Sequence, residues 1–219
     1  MSARIVFDLD GTLIHSAPDI HAACAKMLEE EGIAPLDEAT ITSFVGNGLP
    51  HLVKLVIEAT PLDLADHPTL SQRVLDHYNA VSGELTRPYD GVLQAVRQLA
   101  AQGHRLGVCT NKPEAPARDI LRLMDLDRFD CVIGGDSLPQ RKPDPAPLLK
   151  AFTELGDGPV LYVGDSEVDA ETAHRAKVPF LLFTEGYRKT PVEALPHHAS
   201  FDDFAALPSL VDRALRTVA

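Results

Sequence analysis

Ile5-Val6-Phe7-Asp8-Leu9-Asp10-Gly11-Thr12 is a short apolar run that breaks into two carboxylates, a glycine and a hydroxyl. Consecutive β-branched and aromatic residues suit a strand covered on both faces, where the apolar pattern is continuous rather than alternating. Four further runs have the same form: Leu106-Gly107-Val108-Cys109, Cys131-Val132-Ile133, Val160-Leu161-Tyr162-Val163 and Phe180-Leu181-Leu182-Phe183. Helical patterns of crossover length accompany them, with inward faces at Val92-Val96-Leu99, Ile120-Leu121-Met124, Leu148-Leu149-Phe152 and Thr172-Ala173-Ala176. Strand and helix in alternation specify an α/β fold, a doubly wound, Rossmann-like parallel sheet with helices on both sides.

The first two runs are separated by far more chain than one crossover needs, and the excess is helical in period. Ser16-Ala17-Pro18-Asp19 has the spacing of a capping box with an early proline, and Ile20, Ala23, Cys24, Met27 and Leu28 then share one helix face that stops at Gly32. Further helices are expected over 38–45, 49–59 and 70–81. The economical division is a small helical cap domain of residues 16–86, inserted into a catalytic core of residues 1–15 and 87–219.

Composition narrows the function. A formal charge of −12 leaves no basic stripe that could displace counterions from a nucleic acid, so nucleic-acid binding is not expected. No apolar run approaches a membrane span or a secretory leader, which points to a cytoplasmic protein. Cys24, Cys109 and Cys131 are far apart in sequence and suit buried, reduced thiols. The same acidity repels a small anionic substrate, so an enzyme acting on phosphates requires a local positive site.

In doubly wound sheets ligands bind beyond the carboxyl ends of the strands. There the sequence sets Asp8, Asp10 and Thr12 after the first run, Thr110, Asn111 and Lys112 after the second, and Asp165 after the fourth with Asp169 close behind; Lys142 precedes the helix leading to the fourth. Carboxylates gathered at one strand edge repel one another unless a hard cation joins them, and magnesium fits an oxygen-only set of Asp8, Asp10, Asp165 and Asp169. Thr110, Asn111 and Lys142 offer a hydroxyl, amide donors and a positive charge to phosphoryl oxygens. Taken singly, each residue has an ordinary reading: aspartates after strands form turns or caps, Thr110-Asn111 suits a helix start, and Lys142 suits a surface. Their joint order at the strand ends favours phosphoryl transfer.

Asp8-Leu9-Asp10-Gly11-Thr12, Thr110-Asn111, Lys142-Pro143 and Gly164-Asp165-Ser166 to Asp169 together resemble the four motifs of the haloacid dehalogenase-like hydrolase superfamily. Phe44-Val45-Gly46-Asn47-Gly48, Thr110-Asn111-Lys112-Pro113 and Ile133-Gly134-Gly135-Asp136 are similar, within that superfamily, to the phosphoglycolate phosphatases. The resemblance implies Asp8 as nucleophile and magnesium ligand, and Asp10 as acid/base that also lends its main-chain carbonyl to the metal. It implies Thr110, Asn111 and Lys142 as phosphoryl-holding groups, Asp165 as a metal ligand and Asp169 as its support. Thr12 favours a phosphatase over the related mutases. His15 and Lys177 depart from the pattern, standing where aspartate and glycine are usual.

The expected partner is a small phosphorylated metabolite, 2-phosphoglycolate first, with the segment Gly46-Asn47-Gly48 closing over it and the cap cation Lys54 meeting its carboxylate. A sugar phosphate, a nucleoside monophosphate or a range of esters is the alternative. Dehalogenase or phosphonate-cleaving chemistry fits Asp10 less well, and a non-catalytic phospho-aspartate receiver needs neither Asp10 nor a cap.

Overall fold

The computed structural model describes residues 2–218. Its elements are β1 (Arg4–Phe7), β2 (Ile14–His15), α1 (Ala17–Glu30), α2 (Glu38–Phe44), α3 (Leu49–Glu58), α4 (His67–Val81), β3 (Arg87–Pro88), α5 (Val92–Ala101), β4 (Arg105–Cys109), α6 (Glu114–Leu123), β5 (Cys131–Ile133), α7 (Ala146–Glu154), β6 (Val160–Gly164), α8 (Glu167–Ala176), β7 (Phe180–Phe183), β8 (Ala199–Phe201) and α9 (Leu207–Val218). Six strands form one parallel sheet in the order β5-β4-β1-β6-β7-β8. The chain leaves β1 toward β4 and β5, then returns to the other side of β1 for β6. The strand order therefore reverses beside Phe7 and Val163, which are paired in register, and the crevice of a doubly wound sheet opens at such a point.

Alternate residues of each strand feed opposite faces. Phe7, Val108, Leu161, Val163 and Phe183 pack on one side with α5, α6 and α9. Val6, Cys109, Ile133, Tyr162 and Leu182 pack on the other with α7 and α8. All five expected strands are present. A sixth, β8, has only Phe201 buried among its three residues, so its run is too short and too polar to stand out. α9 also lacked a sequence-based expectation. Leu149, expected inward, is exposed; Leu148 fills that face of α7. Lys177 adopts φ 56° at the end of α8, the left-handed conformation in which glycine is easiest, so this chain accepts a side chain there at some strain. Among the described residues, no helix is long and apolar enough to cross a membrane.

Helices α1 to α4 bury a separate cluster that includes Met27, Leu28, Ile41, Val53, Val56 and Val74. The chain enters and leaves this helical unit through β2 and β3, an antiparallel pair with His15 opposite Arg87. The expected capping box at the start of α1 is absent. Ser16 Oγ instead donates to Asp10 Oδ1 at 2.6 Å. Asp19, fully buried, accepts from the main-chain N–H groups of Gly83, Leu85 and Thr86 at 2.7, 2.9 and 3.1 Å and from the Thr86 hydroxyl at 2.6 Å. The S-x-x-D spacing was legible, but Asp10 claimed Ser16, and donors more than sixty residues away claimed Asp19.

Hydrogen bonds to a charged group are worth about 1.5–3 kcal/mol each, and an amide in its place keeps one accepting oxygen while setting an NH₂ against a donor. Asp19→Asn is accordingly expected to lower unfolding free energy by about 2–3 kcal/mol, measured by urea denaturation. A loss below about 0.5 kcal/mol would show that the return segment is held by other contacts.

Candidate active site

β1 delivers Asp8 to the crevice, and Gly11 closes the turn behind it. Gly11 sits at φ +88°, and a Cβ there would lie 2.5 Å from Asp165 Oδ2, so both backbone and space require glycine. The turn brings Thr12 Oγ1 to donate to Asp165 Oδ1 at 2.6 Å, while the N–H of Tyr187 donates to Asp165 Oδ2 at 2.7 Å.

Asp169 holds the other end of the cluster. Its Oδ2 accepts from Ser166 Oγ at 2.7 Å and from the N–H groups of Ser166 and Asp165 at 3.1 and 3.3 Å. Its Oδ1 accepts from Lys142 Nζ and Tyr162 Oη, both at 2.7 Å. Every lone-pair direction of consequence is spent on the protein. Lys142 Nζ also stands 2.8 Å from Asp8 Oδ1, an ion pair that no other donor shares.

The electrostatics follow from burial. Burial, then the neighbouring Asp169, push Asp8 up to about 7 despite Lys142. Burial, Asp169 and Asp8 push Asp165 well above the carboxylate range. Burial alone would also raise Asp169, but Lys142 and the donors around it hold it below its ordinary value. Lys142 is held above its own range, because Asp169 and Asp8 outweigh the burial that opposes its charge.

Oxygen atoms of Asp8, Asp165 and Asp169 all lie within 4.8 Å of one another. An all-oxygen set with two carboxylates pushed toward protonation is suited to a divalent cation, which supplies the charge that the protein withholds. The Asp10 carboxylate is outside this cluster. It faces Ser16 and Lys112, whose Nζ lies 3.2 Å from Asp10 Oδ1 and 3.4 Å from Oδ2, rather than joining the other three carboxylates of the expected set.

Thr110 is buried, and its Oγ1 accepts from the Lys112 N–H at 3.2 Å, which leaves its own proton free for another acceptor. Asn111 differs from expectation: its Nδ2 donates to the carbonyls of Gly46 and Lys142, both at 3.0 Å, so its side-chain donors tie the helical unit to the core. Gly46 and Gly48 line the cavity between the two, whereas Asn47 is exposed beside them and is not part of its lining. Lys54 is also outside it, exposed on α3 and paired with Glu58 at 3.1 Å. The cation that does enter the cavity is Lys112, which helical periodicity could not reveal because it follows a strand. His15 meets the rings of Tyr89 and Tyr187 at a tilt, with Nδ1 3.0 Å from the Tyr187 hydroxyl.

Residues 5–183 match the model of the family described as haloacid dehalogenase-like hydrolase. The chain belongs to that family. This haloacid dehalogenase-like hydrolase is 54% identical over 214 residues to a phosphoglycolate phosphatase of Cereibacter sphaeroides, covering 96% of this chain and 98% of the relative. It is 45% identical to the phosphoglycolate phosphatase of Rhodobacter capsulatus, covering 97% and 98%. The crystal structure of a predicted phosphoglycolate phosphatase from Haemophilus somnus superposes with a TM-score of 0.89 at 30% identity, covering 94% and 96%.

The raised Asp8 has a consequence for this hydrolase without metal. Because its folded value of about 7 lies above that of the unfolded chain, folding favours the protonated form. The stability gained in this way is complete below about pH 4 and is lost as pH climbs to about 7. In chelator, Asp8→Asn is therefore expected to melt higher than wild type at pH 8, with the gain disappearing toward pH 4.5. A thermal scan across pH checks the sign.

Proposed function

We propose that this chain is a magnesium-dependent phosphatase that hydrolyses 2-phosphoglycolate through an aspartyl-phosphate on Asp8. The observation that carries the reading is the buried Asp8 carboxylate, ion-paired at 2.8 Å with Lys142 and beside Asp165. The names of relatives up to 54% identical over nearly the whole chain support the substrate. Residues 16–86 act as the cap and the remainder as the catalytic core.

Asp8, Asp165 and the main-chain carbonyl of Asp10 are the groups that would hold magnesium. When bound, it neutralises charge on the phosphoryl oxygens and on the carboxylates together. Asp8, ionised in that state, attacks phosphorus; the ester P–O bond breaks, and Asp10 gives its proton to the departing alkoxide. Thr110 Oγ and Lys142 Nζ donate to the phosphoryl oxygens, Lys142 being aimed by Asp169 and Tyr162. Asp10 then takes a proton from water, which attacks phosphorus and releases phosphate with the Asp8 carboxylate restored. Asp169 works through Lys142 and is a positioning residue.

The cavity holds about 70 Å³ of accessible space, which suits a small ester. A phosphatase of another small metabolite, or of several, is the second reading.

Asp8→Asn is expected to remove phosphate release to below about one part in 10⁴ of wild type while the protein remains folded, since the amide keeps the shape and loses the nucleophile. Chelation is expected to abolish turnover and magnesium to restore it, with calcium a poor replacement because its looser shell misplaces Asp8. Full activity in excess chelator excludes the metal. A comparison of kcat/KM for 2-phosphoglycolate, a hexose phosphate and a nucleoside monophosphate decides between the two substrate readings.

A further inference from the structure

The cavity above the catalytic cluster has polar groups that phosphoryl transfer does not use. Its upper wall is apolar, formed by Ile20, Val45, Leu49, Leu52 and Leu75. A sugar ring bound there would surrender water from its hydroxyls with no partner in return. Two residues interrupt this surface. Lys112, buried at 9% exposure, comes from the loop after β4, and its Nζ lies 3.2 Å from Asp10 Oδ1 and 4.4 Å from the centre of the Tyr78 ring. Tyr78, 3% exposed, comes from α4, and its hydroxyl is buried with no hydrogen-bond partner.

A buried hydroxyl without a hydrogen-bond partner is uncommon, and Tyr78, whose side chain lines the cavity beside a buried ammonium, can offer that hydroxyl to an anion. We propose that Lys112 and Tyr78 form the receptor for a carboxylate on the substrate, carried one carbon from the ester oxygen. This rests on the reading of the site as one that cleaves 2-phosphoglycolate. The distance argument is direct. Asp10 must come within about 3 Å of the leaving oxygen to protonate it, and Lys112 touches Asp10. The ammonium therefore lies a short step from the ester oxygen, where a single methylene brings the carboxylate.

Without substrate, Asp10 and the Tyr78 ring face supply Lys112 with its counter-charge. With substrate, the carboxylate takes that place and accepts from Lys112 Nζ and the Tyr78 hydroxyl, and Asp10, released from the ammonium, takes up a proton from solvent and turns to the ester oxygen as the acid. An ester lacking the carboxylate leaves the hydroxyl unpaired, the asymmetry by which polar sites reject incomplete ligands. The receptor spans core and helical unit, so only the closed arrangement completes it.

Because Lys112 touches Asp10, the test reads binding rather than turnover. Dissociation constants for 2-phosphoglycolate and ethyl phosphate are measured with magnesium in Asp8→Asn, and again with Lys112→Met or Tyr78→Phe added. The single variant is expected to prefer 2-phosphoglycolate by about 50-fold. Lys112→Met is expected to reduce the preference to within about 3-fold, and Tyr78→Phe to reduce it by about 5-fold, with ethyl phosphate binding little changed by the latter. Tyr78→Phe keeps the ring beside Lys112 and removes only the hydroxyl, so a structural role predicts equal effects on the two esters and no change in preference, and this variant decides the matter if Lys112→Met does not fold. A preference that survives both substitutions overturns the receptor, as does its absence from the single variant. The wild-type kcat/KM ratio for the same two esters, measured alongside, shows whether the substrate reading falls as well.

Discussion

A lysine ammonium held between two aspartates organises the molecule's working end. Lys142 contacts Asp169 and Asp8 in a region from which water is nearly absent, and charges in such surroundings persist only when each is matched. Asp169 is the better matched partner. It gathers Lys142, Tyr162, Ser166 and the Asp165 main chain, and so fixes where Lys142 can stand. Asp8 and Asp165 receive less, and their burial leaves them short of positive charge. The imbalance makes Asp169 an internal strut, and it leaves its two neighbours reactive toward whatever cation arrives.

The sheet makes this arrangement affordable in space as well as in charge. β1 and β6 are neighbours in register, so the residues that follow them emerge side by side at the reversal of strand order. Thr12 and Tyr187 clamp Asp165 from the flanking loops, and Gly11 lets the backbone pass close to it. The helical unit attaches through the short β2–β3 ribbon and through Asp19, whose four donors lie on the segment that returns to the core.

Much of this was legible in the amino-acid sequence because buried parallel strands carry continuous apolar runs, and because their polar ends lie together once the strands are parallel. Where the reading went astray, the cause was a longer-range partner. Ser16 and Asp19 have capping-box spacing, yet Asp10 and residues 83–86 claim them. Asn111 has donors fit for a phosphoryl group and spends them on carbonyls. Lys54 has the sequence position of a cap cation but lies on the wrong face of its helix, beside Glu58. Lys112, only one residue beyond Asn111, enters the cavity instead, and spacing alone carries no sign of which lysine does so. β8 escaped notice because Phe201 is its sole buried side chain.

The contact made by Asn111 bears on how such a hydrolase can change over generations. Its amide joins Gly46 of the helical unit to Lys142 of the core, and both acceptors are main-chain carbonyls. A carbonyl is present whatever residue occupies the position, so the join itself reads no side chain, although the positive φ of Gly46 and Gly48 reserves those two positions for glycine. The exposed Asn47 between them is at liberty to be exchanged without unfastening the two parts. The chain thereby separates the means of closing from the means of choosing, and selection can revise one while inheriting the other intact.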